Sequence, residues 1–236
     1  EGSLLLLLRT AEKDVEDLQI EALRAIGAIA GPEELPAMVD ILIQATNEAV
    51  RAEAGRALVA AARRCEPGNP RTLPIVKGIR GGARSIVADV ALLGVLGEIG
   101  DDSALPAVRS ATTKRSGEIR SAGLRALAQW PTPSAINDLE TITRKSKDES
   151  ERRMAFEGYI RQLRMESDRP VDETLGYYRT AISMNPDAAQ KKQILAGLAE
   201  IRDAGAIDLV ALYLDDADAR EEAALAKSKI EETLAK

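Results

Sequence analysis

The chain has 236 residues, enough for a sizeable core or an elongated array, and 45% of them are hydrophobic although only 3% are aromatic. Its net charge of −6 argues against a domain that grips a nucleic-acid backbone unaided. The absence of histidine removes Ser-His-Asp and Cys-His catalysis and most zinc and non-haem iron sites, and the single cysteine, Cys65, rules out an intrachain disulfide framework without fixing the compartment.

In chain order, Leu4 to Leu8 is a run of leucines too short to span a membrane and without the charged lead and cleavage site of a signal peptide. It reads as the second helix of a repeat whose first helix is cut away, so the chain reads as a fragment or module of something longer. Val15 to Ile29 carries a helical stripe of Leu18, Ala22, Ala25, Ile26 and Ile29, and Leu35 to Ala45 is its partner helix. Thr46 and Asn47 are cap candidates for a helix from Glu48 to Arg63, whose inner stripe is Val50, Ala54, Ala57, Leu58 and Ala61. The segment CEPGNP, Cys65 to Pro70, has two prolines and a glycine and cannot be helix interior; Leu73-Pro74 then starts the next helix. Cys65 itself reads as a small residue at a helix end.

The stretch Leu96 to Val108, LGEIGDDSALPAV, organises the rest. Leu96 and Ile99 end one helix, and Gly100 lets it leave through a left-handed residue. Asp101, Asp102 and Ser103 offer caps, and Pro106 falls in the first turn of the next helix. The same frame recurs at Ile26 to Met38, Leu127 to Leu139 and Leu198 to Val210. A period of about 31 to 39 residues, each repeat a helix pair, marks an α-solenoid. Within the third helix pair, Gly94 and Gly97 lie inside a helix with no preceding strand, so close helix packing suits them better than a dinucleotide fingerprint.

Farther on, Ser116 opens the fourth pair, and Trp130, before Pro131, is expected to plug the joint to the fifth. Asp148 and Glu151 have capping-box spacing, and Leu175 to Ser183 follows a polar loop containing Pro170. Asn185-Pro186 predicts a helix start with proline at its first position. A last helix from about Asp218 to Ala235 has a D-x-x-E start at Asp218 and Glu221. Asp215, Asp216 and Asp218 lack calcium-loop spacing and read as a turn that caps this helix. No stretch alternates as a strand does.

The helix pairs resemble HEAT repeats, particularly the short bacterial kind also called PBS-lyase HEAT-like repeats. The resemblance is carried by Val50-Arg51, Ala54 and Ala57-Leu58; by Leu96-Gly97, Ile99-Gly100 and Ala104-Leu105-Pro106; and by Ile119-Arg120, Leu124 and Ala126-Leu127. The fifth pair departs most, with Glu157 and Gly158 where small apolar residues belong. The fold class expected is all-α, an α-solenoid (right-handed superhelix) of about six HEAT-like helix pairs in a single domain over 1–236. The pairs fall at roughly 14–45, 46–82, 83–114, 115–147, 148–184 and 185–216, with partial repeats at 1–13 and 217–236. The segment from Leu124 to Lys236 also looks like helical repeats appended to large extracytoplasmic enzymes and haem proteins of environmental bacteria, which tilts localisation outward from the cytoplasm.

In HEAT proteins, the resemblance implies, second helices line the concave side. The solvent-facing residues there would include Lys77, Arg80, Arg109, Asn137, Glu140, Arg144, Tyr177 and Tyr213. Lys77, Arg80 and Arg109 would suit an acidic peptide, although a solvated face is the default for such side chains. Tyr177 and Tyr178 cannot share one helix face, so one is core and the other exposed. The function expected is a non-catalytic scaffold contacting another protein or another domain of its parent chain, with no cofactor, metal, nucleic acid or membrane insertion. The alternatives are a structural module of a larger extracytoplasmic enzyme, and a HEAT-type accessory such as a lyase-like or DNA-binding repeat protein. Diiron hydroxylases of this architecture use His-Glu pairs, which this chain lacks.

Overall fold

The computed structural model describes residues 2–11, 15–66, 70–80, 85–114 and 116–235. The described residues form α-helices joined by turns, with no strand among them, as an all-α solenoid requires. By compactness the chain divides into two units, Glu1–Pro131 and Thr132–Lys236.

The N-terminal unit holds α1 (Gly2–Ala11), α2 (Glu16–Ile29), α3 (Leu35–Gln44), α4 (Glu48–Arg64), α5 (Leu73–Arg80), α6 (Ile86–Ile99), α7 (Leu105–Ala111) and α8 (Gly117–Ala128). The first helices α2, α4, α6 and α8 pack successively side by side, and α3 packs on α5. This is the tandem stacking through which one pair completes the core of the next. The predicted α4 stripe of Val50, Ala54, Ala57, Leu58 and Ala61 is wholly buried. Asn47 caps that helix, its side-chain oxygen accepting the Ala49 N–H at 2.7 Å.

Small residues set how close the first helices come. A Cβ on Gly27 would lie 3.0 Å from Ala57 Cα, and one on Gly97 would lie 3.0 Å from Ala126 Cα. Gly94 differs from the close-packing expectation: it is exposed, with no neighbouring atom within 4 Å of a Cβ built there. Arginines from adjacent repeats finish the helix ends. Arg64 donates to the Gly27 and Ala30 carbonyls at 2.6 and 2.7 Å, and Arg63 donates to the Glu98 carbonyl at 2.9 Å. Those carbonyls have lost their helical partners, and the guanidinium satisfies them.

The interhelix turns are tied in the same way. Gly100 closes α6 at φ 63°, in the left-handed region. Asp101 then accepts the Ser103 N–H at 3.1 Å and the Arg71 guanidinium at 3.0 Å, while Thr72 and Ser103 share a hydrogen bond at 3.1 Å. Burial alone would raise the Asp101 carboxyl, but its bonds from Ser103 and Arg71 hold it below the ordinary range. Trp130 is fully buried, and its indole N–H donates to Asp102 at 2.8 Å. Its anchor is thus the turn of the third pair, one repeat back. Pro70 and Arg71 follow the inserted loop, whose residues 67–69 lie outside the described residues.

The C-terminal unit holds α9 (Ile136–Lys145), α10 (Glu149–Leu163), α11 (Val171–Ser183), α12 (Ala188–Leu198), α13 (Ala204–Ala211) and α14 (Arg220–Leu234). First helices again stack, α10 on α12 and α12 on α14, and α11 packs on α13. Phe156, Tyr159, Tyr178, Leu195 and Ile230 lie in its core.

Three helix starts differ in detail from their sequence reading. Asp148 caps α10 as expected, but Glu151 accepts from Ser146 Oγ at 2.6 Å instead of closing a capping box. Proline is not the first residue of α12; Asp187 is the N-cap and forms a full capping box with Gln190. Asn185 just before it adopts a left-handed φ of 55°. At α14, Asp218 does not cap, and Ala219 occupies the N-cap position with no side-chain bond. Asp216 instead receives Lys191 Nζ of α12 at 2.6 Å.

Candidate functional site

The residues expected on the second helices fall into two groups, one in each unit. In the N-terminal unit, Pro36, Val39 and Asp40 of α3 and Leu73, Pro74, Lys77 and Gly78 of α5 line an open groove of about 320 Å³. A Cβ on Gly78 would stand 2.9 Å from Val39 Cγ1, so the missing side chain is what lets α5 lie this close to α3. Lys77 on α5 and Asp40 on α3 are both exposed and place one cation and one anion on this mostly apolar groove. Arg109 is exposed on α7, outside the groove. The Arg80 side chain lies outside the described residues.

In the C-terminal unit the structure brings four of the predicted residues together. Asn137, Glu140 and Arg144 recur along α9 at helical spacing, and Tyr177 projects from α11. The Tyr177 hydroxyl donates to Asn137 Oδ1 at 3.2 Å. Arg144 pairs with Glu140 at 3.0 Å and donates to Ser183 Oγ of α11 at 3.3 Å. The two helices thus share a polar and aromatic patch held by side-chain bonds at both ends.

Behind the patch sits a second layer that sequence reading did not single out. Tyr159 of α10 is buried and donates to the Tyr177 carbonyl at 2.9 Å. The two rings meet edge to face, 6.2 Å apart at 73°. Arg169, in the loop before α11, lies over the Tyr177 ring at 5.5 Å. It also donates to the Gln162 and Leu163 carbonyls at 3.3 Å, closing the end of α10. An arginine stacked on one face and a tyrosine edge behind fix the Tyr177 ring in one orientation. A loop arginine next to proline carries no periodic signal, which is why spacing could not find it.

Tyr178 is core and Tyr177 half-buried, as adjacency on a helix demands. Tyr213 is a correction. It is only 5% exposed and does not belong to a surface strip. Helix α13 ends at Ala211, so a helical projection fails two residues on, and the following turn carries the ring inward. Its hydroxyl is buried with no hydrogen-bond partner among the described residues.

Burial pushes the Tyr178 and Tyr213 phenols up to about 12 and raises Tyr159 further still. Tyr177 is raised too, by burial and by Glu173 beside it. A folded pKa above the unfolded value contributes stability that is present below the ordinary phenol pKa and lost as pH rises through the folded one. An ultraviolet titration is therefore expected to leave Tyr159, Tyr178 and Tyr213 protonated at pH 10, their ionisation arriving together with loss of helical dichroism. Ionisation of two or more of the four tyrosines near pH 10 with helicity intact would contradict the burial of these rings.

No helix among the described residues is long and apolar enough to cross a membrane. No curated protein sequence matches the chain. Among solved structures, human deoxyhypusine hydroxylase is 12% identical, covering 98% of this chain and 96% of that one, with a TM-score of 0.47. The CpcE–CpcF complex of phycocyanin lyase from Nostoc is 18% identical over 89% of this chain and 81% of that one, with a TM-score of 0.42. An archaeal HEAT-like repeats protein from Thermococcus onnurineus is 16% identical over 99% of this chain and 88% of that one, with a TM-score of 0.41. The family of HEAT repeats matches residues 82–159. Helix pairs continue on both sides of that span, and Leu35-Pro36 and Leu73-Pro74 open second helices as Leu105-Pro106 does within it, so residues 82–159 match HEAT repeats and the flanking helix pairs have the same layout.

Proposed function

We propose that this chain is a non-catalytic scaffold whose second-helix surface holds another protein, or another domain of the protein it belongs to. The observation that carries the reading is the patch of Asn137, Glu140, Arg144 and Tyr177. Two helices from successive repeats contribute to it, and each of its side chains is already held by a neighbour. Such preordering lowers the entropic cost of binding. Tyrosine and arginine are also the residue types that most often dominate contact surfaces. The groove of the N-terminal unit, with Asp40 and Lys77 in its lining, is a second, mostly apolar surface. A chain without histidine has few routes to general acid–base chemistry at neutral pH, which favours binding over catalysis.

The test is capture. Immobilised chain is exposed to extract of the source cells and the retained protein identified by mass spectrometry. Arg144→Glu and Tyr177→Ala are each expected to weaken retention of that same protein at least about tenfold, or roughly 1.4 kcal/mol. Their far-UV dichroism should be unchanged, and Arg153→Glu, an exposed position on the first helix α10, should retain the partner fully. Undiminished retention by both patch variants would overturn this surface as the docking site.

A further inference from the structure

Helix α6, IVADVALLGVLGEI, has only two charged residues, the half-buried Asp89 and the exposed Glu98 one turn beyond Gly94, whereas a helix in a two-layer stack needs only one apolar face. Its inner face is accounted for by Leu92, Leu93, Val95, Leu96 and Ile99, all buried. Its outer face is not. Ile86 is 42% exposed and Val87 50%, Val90 and Ala91 are half-buried, and Gly94 is open. The neighbouring first helices present charge outward at the same level, Arg56 on α4 and Arg125 on α8.

Between α6 and α8 this outer face forms a groove of about 450 Å³, lined by Ile86, Val87 and Val90 on one side and by Glu118, Ser121 and Arg125 on the other. Glu118 and Arg125 are seven positions apart, two helical turns or about 10 Å of backbone along α8, and the Arg125 guanidinium reaches back to donate to Ser121 Oγ at 3.0 Å. The α8 rim therefore carries a carboxylate followed by a guanidinium and is neutral in sum.

We propose that this face binds a second copy of the chain. A two-fold axis in the contact plane, perpendicular to the helices and midway between the Glu118 and Arg125 charges, lays α6 antiparallel on α6 and α8 antiparallel on α8. The apolar strip is then covered by its own equivalent, and each Glu118 stands opposite the Arg125 of the other copy. A surface that carries a carboxylate and then a guanidinium along one apolar strip is its own complement under that operation, as an isologous interface must be. An unrelated partner would have no reason to require this symmetry. The open Gly94 removes the side chain that would hold two antiparallel α6 helices apart.

Sedimentation across the micromolar range tests the proposal with the intact chain. The chain is expected to dimerise, and Val87→Asp to weaken the dimer at least about tenfold by placing an unpaired charge in the strip. Glu118→Arg alone and Arg125→Glu alone each set like charges against each other twice, and each is expected to weaken the dimer by about tenfold or more. An equimolar mixture of those two variants pairs opposite charges at both ends and is expected to regain the dimer. All three positions are exposed or at a groove rim, and unchanged far-UV dichroism confirms the fold. A monomer at every concentration overturns the proposal. So does a dimer indifferent to all three substitutions, or a mixture that stays as weak as its components.

Discussion

Gly100→Ala is expected to cost about 2–5 kcal/mol of stability in the N-terminal unit, far more than a surface Gly→Ala change normally does. Two independent effects add. Gly100 sits at φ 63°, where an L side chain crowds its own backbone. The alanine Cβ would also stand 1.9 Å from Pro131 Cγ and 2.3 Å from Cδ, well inside contact distance. Pro131 lies one repeat farther on, so the proline ring is packed into the space the glycine leaves. The two effects separate in a double-mutant cycle: Gly100→Ala on a Pro131→Ala background should recover the steric part and leave about 1–2 kcal/mol for the left-handed backbone. Urea midpoints followed by far-UV dichroism give the comparison. A loss below about 0.5 kcal/mol for Gly100→Ala would mean that neither the turn nor the proline contact is as described.

The residues that announced Gly100 in the sequence did so because they act locally. Gly100, Asp101 and Pro106 stop one helix and start another through bonds within a few residues, so their meaning survives without knowledge of the fold. Asn47, Ser116 and Asp148 were readable for the same reason, and each accepts a backbone N–H at its predicted helix start. The starts of α12 and α14 were not. Pro186 is compatible with a first helical position, but it stands just before Asp187, whose carboxylate and the Gln190 amide satisfy each other's backbone groups and fix the start two residues later. At α14 a long-range partner decided the outcome, because Lys191 takes the Asp216 carboxylate and reshapes the turn ahead of Asp218.

The same division governs the candidate surface. Asn137, Glu140, Arg144 and Tyr177 were legible because helical projection holds in the middle of α9 and α11. Tyr213 was misplaced because projection does not hold past the last helical turn. Tyr159 and Arg169 support the patch from an adjacent first helix and a loop, contacts that no single-helix pattern encodes. The outer face of α6 was visible only as an excess of apolar residues. Its meaning depends on which of them the neighbouring helices leave uncovered.

Trp130→Ala is expected to be the costliest substitution at the third turn, about 3–5 kcal/mol. The side chain is fully buried at the end of α8, and its loss opens a cavity the size of an indole beside a helix end that cannot readily collapse. Trp130→Phe should cost less, since a ring still fills most of that volume, but it removes the donor to Asp102. Asp102→Ala makes the complementary change: the ring stays, its buried N–H loses the carboxylate 2.8 Å away, and about 1–3 kcal/mol should follow. Because Trp130 is the only tryptophan, its fluorescence reports on this joint alone. In Asp102→Ala the emission should shift red at a lower urea concentration than in the parent, in step with loss of helix if the joint and its unit unfold together. Coincident shifts would make the Asp102–Trp130 bond part of the cooperative core of that unit. An early red shift with helicity retained would make it a local latch between consecutive turns, and an unshifted midpoint in both Trp130→Ala and Asp102→Ala would remove it from the stability of the fold altogether.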